Sequence, residues 1–417
     1  MEKRQKRSDN LDGLFWRTAS ALPNHTAILY FRDGEWKVVT YEALKIEAVQ
    51  VRVALSCHDP RIRQTSKDEA QNKSLAMESL TTTLVAGDNV QAESRCFEVQ
   101  VVGILSSGPE AVACILGVLP SYGYWYISPQ YTKREVSELV ERIQPECILV
   151  EESFLCSTED IDSVILDTLC IFGTNFKVIS TKYVKRLSIR RPETLAYVVP
   201  TSGSTGIPKC VYVPHASIMP NICDFVHLFK VTPEDRIFCA APLTFDPSVI
   251  DLFLAFCVGA SLVMVPSSVL RTPRLLLQVL LEKKVTVLQA TPTLLLSLGP
   301  QRVKESLLAH GSWLKVLALG GEVFPKVPVS HCIGRGCAAK IFNVYGLTEV
   351  SCWASVWEYV PEETSASHEV EWMPIGKALS YTEIRVLRKT GEEVEDGEEG
   401  EIHVGVSVLL CQTRQTD

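Results

Sequence analysis

Between residues 101 and 150 short apolar runs alternate with amphipathic stretches, and that alternation leaves few folds open. Residues 103–105 end a strand, 109–119 read as a helix, 133–142 as an amphipathic helix, and 147–150 as a buried strand. The same alternation returns between residues 232 and 319. Strands separated by helices cannot pair as hairpins. They form a layered α/β fold whose sheet is largely parallel. A chain of 417 residues is long enough for a large core and two or three subdomains.

One loop stands out from this frame. The apolar run 195–199 reads as a buried strand and opens directly into Thr201, Ser202, Gly203, Ser204, Thr205, Gly206, Ile207, Pro208 and Lys209. Glycines let backbone N–H groups approach an anion, hydroxyls add donors, and lysine adds a positive charge. Taken alone, such a cluster more often marks a flexible surface loop. It is not a Walker-type loop, which needs lysine directly after the second glycine; here Ile207 and Pro208 intervene. Three further strings follow apolar leads or precede apolar runs. They are Phe245-Asp246-Pro247-Ser248, Leu319-Gly320-Gly321-Glu322 and Asn343-Val344-Tyr345-Gly346-Leu347-Thr348-Glu349. Read on its own, Asp246 is a helix N-terminal aspartate.

Taken together and in this order, the strings resemble the motifs of the acyl-adenylate-forming superfamily. Its members are acyl-CoA synthetases, luciferases and the adenylation domains of nonribosomal peptide synthetases. The resemblance implies the N-terminal α/β/α/β domain of that fold, followed by a small β-subdomain. It implies ATP as a substrate, bound by Thr201 to Gly206 and Lys209, with Gly320, Gly321 and Glu322 against the base. Tyr345 would offer adenine a flat face, and Asn343 a donor and an acceptor. Gly346 belongs to the same motif. Thr348 would donate to a phosphate oxygen, and Glu349 would bind Mg²⁺ through a hard oxygen. Thr348, Glu349 and Lys209 carry the implied catalysis. Asp246 would pair with a substrate ammonium group, since a carboxylate in an apolar pocket is costly unless a cation meets it. Motif spacing makes Pro247, Ile250, Val344 and Cys352 the pocket walls.

The implied reaction is ATP-dependent activation of a small, β-alanine-like amino acid as an acyl-adenylate, for transfer to coenzyme A or a carrier-protein phosphopantetheine thiol. Two other readings stay open: a fatty- or aryl-acyl-CoA synthetase, and a non-catalytic fragment that binds nucleotide or a partner. The segment 119–129 also resembles a family string, but carries aromatics where alanine is usual and Ser128 where aspartate is usual. It is expected to be structural.

The expected divisions are an N-terminal segment 1–39, a large adenylation domain 40–380, the start of a β-subdomain 381–405 and an unrelated tail 406–417. Within the large domain, 59–94 is polar and aperiodic, as an exposed insertion would be. Beyond residue 405 the family continues with a ribose-binding aspartate, a hinge and a domain that supplies a catalytic lysine. This sequence has no counterpart there, so impaired catalysis and a truncated form are expected.

Composition excludes other classes. Net charge is −8 and no basic stripe suggests nucleic acid. The longest apolar stretch, 250–265, is interrupted by Asp251, Gly259 and Ser261, too broken to span a bilayer. The 14 cysteines include no Cys-x-x-Cys and several lie in apolar elements, as expected of reduced thiols in a cytoplasmic protein.

Overall fold

The computed structural model describes residues 10–58, 97–181, 187–189, 195–201, 209–360, 373–406 and 412–414. The expected insertion 59–94 lies outside the described residues, as does the part of the glycine-rich loop from Ser202 to Pro208.

Two large sheets dominate. In the eight-stranded sheet the strands run in the order Gln412–Arg414, Lys209–Pro214, Leu195–Thr201, Gly123–Ile127, Val101–Leu105, Cys147–Glu151, Thr174–Thr181 and Ser163–Ile171. The nine-stranded sheet runs from Lys377–Ala378 through Ser355–Tyr359, Lys340–Tyr345, Val316–Gly320, Val287–Ala290, Arg236–Phe238 and Ser261–Met264. It ends on Thr26–Arg32 and Glu35–Thr40. Both sheets are parallel at the centre, with antiparallel strands toward the edges.

Side-chain alternation builds the layers. Val102 and Ile104 join the central core, while their neighbours Val101 and Leu105 join the outer core of the eight-stranded sheet. Val316, Ala318, Phe342 and Val344 likewise face the centre, and Leu317, Leu319 and Ile341 face outward. Helices Tyr41–His58, Gly108–Val118, His215–Phe229 and Pro247–Val258 supply the layer between the sheets. Further helices cover both outer faces. One is Lys133–Ile143, where Val136, Leu139, Val140 and Ile143 form one apolar stripe. Its start is set by a capping box between Thr132 and Glu135, and it ends on Gln144 in the left-handed conformation.

Residues 10–39, set apart by sequence, pack into this same body. Leu11 and Phe15 are fully buried, and Thr26–Arg32 pairs in parallel with Ser261–Met264. The strand Gln412–Arg414 extends the eight-stranded sheet, antiparallel to Lys209–Pro214. Thr382–Leu387 and Glu401–Val406 form a separate two-stranded sheet. Among the described residues, no helix is long and apolar enough to cross a membrane.

Candidate active site

The strands Leu195–Thr201 and Lys209–Pro214 are antiparallel and hold the ends of the glycine-rich loop together. Thr201 pairs with Lys209, and the Thr201 hydroxyl donates to the Lys209 carbonyl at 3.3 Å. Ser202, Gly203, Ser204, Thr205 and Gly206 lie outside the described residues.

Beside this hairpin the helix Pro247–Val258 begins, with Asp246 at its N-terminus. The Asp246 side chain makes no capping hydrogen bond, although the position is where a capping aspartate would act. Its carboxylate is buried, and Oδ2 has no hydrogen-bond partner. Burial pushes the Asp246 carboxyl up to about 6, against a hydrogen bond from Thr348 that favours the charged form; Glu349 raises it further. Asp246, Thr348 and Glu349, separated by a hundred residues of sequence, therefore meet.

A narrow cleft, with room for little more than a water-sized group, reaches Asp246. Tyr124, Tyr126, Tyr197, Phe245 and Asp246 are among its lining, and among the described residues no Lys, Arg or His is. Pro247, Ile250, Val344 and Cys352, the walls expected from motif spacing, do not line this cleft; Ile250, Val344 and Cys352 are packed in the central core. The tyrosines of Gly123–Ile127 are the cleft residues that sequence reasoning missed. Their signal was the run of aromatics at 122–126, read there as structural.

The remaining motif residues frame the hairpin and helix. Gly320 packs so tightly that a Cβ would lie 2.5 Å from the Val344 carbonyl oxygen, and Gly346 so tightly that one would lie 2.0 Å from that of Cys352. Gly321 has φ +78°, and the exposed Glu322 accepts a hydrogen bond from the Thr293 backbone N–H at 3.0 Å. Glu322 thus steadies the first turn of Pro292–Ser297. Asn343 is buried, and its amide nitrogen donates to the Pro374 carbonyl at 2.7 Å. One donor of the expected base contact is therefore already committed. Tyr345, on the same strand face as Asn343, is half-buried.

A buried polar chain supports the helix start. Gln289 Nε2 donates to the Pro247 carbonyl at 2.9 Å and to Asp251 Oδ1 at 3.2 Å. Gln289 Oε1 accepts from the Trp353 indole at 2.9 Å, and the Trp353 backbone exchanges two bonds with the Asn221 side chain. Ser351 and Cys352, just before Trp353, both have positive φ, of 67° and 87°.

Among the described residues no three or more His, Cys, Asp or Glu side chains gather to hold a metal ion. Glu349, half-buried beside Thr348, is a single hard-oxygen ligand. That fits Mg²⁺, which is commonly held by one or two carboxylates together with substrate phosphates.

Comparison with known proteins gives a consistent picture. Residues 82–409 match the AMP-binding enzyme family. The beta-alanine-activating enzyme of Homo sapiens is 45% identical over 245 residues, covering 56% of this chain and 22% of that protein. A dimodular nonribosomal peptide synthase of Bacillus subtilis is 27% identical over 367 residues, covering 85% of this chain and 14% of that protein. The chain thus spans less than a quarter of the length of these relatives. Among solved structures, IdnL1 superposes with a TM-score of 0.74 at 22% identity, covering 98% of this chain and 74% of that one. A four-domain nonribosomal peptide synthetase, AB3403, superposes with a TM-score of 0.70 at 19% identity, covering 96% of this chain and 25% of that one.

Proposed function

The chain belongs to the AMP-binding enzyme family, and from that membership we propose that it activates a small, β-alanine-like amino acid as its acyl-adenylate. The observation that carries the proposal is the buried Asp246 carboxylate with an unpartnered oxygen, open to a cleft lined, among the described residues, by no cationic side chain. Such a group is stabilised by a cation that arrives with the ligand. The identity shared with beta-alanine-activating enzymes supports β-alanine as that ligand.

In this reading the substrate carboxylate attacks the α-phosphorus of ATP. The bond to the bridging oxygen breaks, and pyrophosphate leaves with its electron pair. Two anions must approach, so oriented donors and cations carry most of the catalysis. Thr201, Lys209 and the intervening glycine-rich loop hold the phosphates. Thr348 links the phosphate side to Asp246, and Asp246 fixes the amine. Glu349 would hold Mg²⁺, which offsets the phosphate charge when bound. Gly320, Gly321, Glu322, Asn343, Tyr345 and Gly346 flank the base. Coenzyme A or a carrier-protein phosphopantetheine is the proposed thiol acceptor, and the cytoplasm the proposed setting.

The test is exchange of labelled pyrophosphate into ATP, with Mg²⁺ and the purified chain. Exchange that depends on β-alanine and is lost in Asp246→Ala supports the reading. Exchange driven equally by hexanoate, and indifferent to Asp246→Ala, replaces it with a plain acyl substrate.

A further inference from the structure

The aromatic run at 122–126 departs from the family pattern and has no role in the adenylation reading. Its position in the fold gives it one. Strand alternation sends Tyr124 and Tyr126 toward the central core and Trp125 and Ile127 to the opposite face. Tyr124 and Tyr126 thereby reach the cleft that opens on Asp246. Tyr197, on the neighbouring parallel strand, packs its ring against Tyr124 with centroids 5.9 Å apart and planes at 38°. The Tyr126 hydroxyl donates to the Ser106 carbonyl at 2.7 Å, which fixes that ring in place. Phe245 stands at the mouth, 57% exposed, one residue before Asp246.

We propose that Tyr124, Tyr126, Tyr197 and Phe245 form an aromatic wall that receives the substrate's ammonium group beside Asp246. The cleft then selects small ammonium-bearing acids by attraction to ring faces as well as to the carboxylate. This rests on the adenylation reading and adds to it the element that separates an amino acid from its uncharged isostere. Aromatic rings carry negative charge on their faces and attract cations most strongly where water is excluded. Tyr124 and Tyr197 are almost wholly buried, so both sit in such an environment. The Asp246 carboxylate is close enough to Tyr124 to raise its phenol further, after burial has done so. The two groups therefore share one local field.

The test is calorimetric titration of the full chain, with AMP present, by β-alanine and by propionate. It is run on the wild type, Tyr124→Leu, Tyr124→Phe and Asp246→Asn. The wild type should prefer β-alanine. Tyr124→Leu should lose about tenfold in β-alanine affinity with propionate unchanged, and Tyr124→Phe should stay within about twofold. Equal losses for both ligands, or no loss, in Tyr124→Leu overturn the aromatic wall. If Asp246→Asn still loses β-alanine alone, the adenylation reading survives that result. A wild type that binds propionate as well as β-alanine overturns both. Should Tyr124→Leu lack a cooperative thermal transition, the wild-type near-ultraviolet tyrosine difference spectrum decides. A perturbation with β-alanine but not with propionate supports the wall, and its absence overturns it.

Discussion

Asp246 titrates against the chain's own stability. Its folded-state value, about 6, lies above its ordinary 3.8, so the folded chain binds that proton more readily than the unfolded chain. The destabilisation from its buried charge is full above pH 6 and is recovered as pH falls from 6 toward 3.8. An ammonium ligand needs the charged form and runs the opposite way. β-Alanine affinity should be level above pH 6 and fall about tenfold per pH unit below it, as calorimetry across that range would read. Asp246→Asn should flatten the profile. Thr348→Val removes the bond that favours the charged form and should move the midpoint upward. The family resemblance assigned Asp246 to a substrate amine and Thr348 to a phosphate oxygen; that Thr348 hydrogen-bonds Asp246 was not legible in the sequence, because the pairing depends on the assembled fold. The place of Tyr124 in the cleft lining was hidden, because a strand aromatic reads as core until the facing element is known.

At the scale of elements, the Gln289 chain ties helix Pro247–Val258 and strand Val287–Ala290 to the Trp353 turn and helix His215–Phe229. Trp353→Phe keeps an aromatic ring but leaves the buried Gln289 Oε1 without its donor. It should cost about 1–3 kcal/mol in urea unfolding. If the turn also positions the Asp246 end of the helix, β-alanine affinity falls in the same variant while AMP binding holds. The strands and helices themselves were largely legible from apolar periodicity, as for residues 133–142, where stripe and cap agree. Partnership between distant strands was not. Nothing local says that Thr26–Arg32 joins Ser261–Met264 or that Gln412–Arg414 joins Lys209–Pro214, because edge pairing is decided by the assembled sheet.

Across the whole molecule, one ion pair spans the layers. Arg32, on the nine-stranded sheet, makes two bonds of 2.6 Å to Glu110, which is fully buried on the helix Gly108–Val118. Thr174, on the eight-stranded sheet, donates to the same carboxylate at 3.2 Å. Arg32→Met should destabilise the fold by about 3–5 kcal/mol, because it strands a buried charge, and Arg32→Met with Glu110→Leu should recover much of that loss in urea unfolding. The hairpin closed by Thr201 and Lys209 works on a different quantity, the entropy of joining loop ends. With those ends already paired, chain closure is completed when the sheet forms. Closure entropy grows slowly, by about 0.6 kcal/mol per doubling of loop length, so an insertion there should weaken anion binding by misplacing donors well before it weakens the fold.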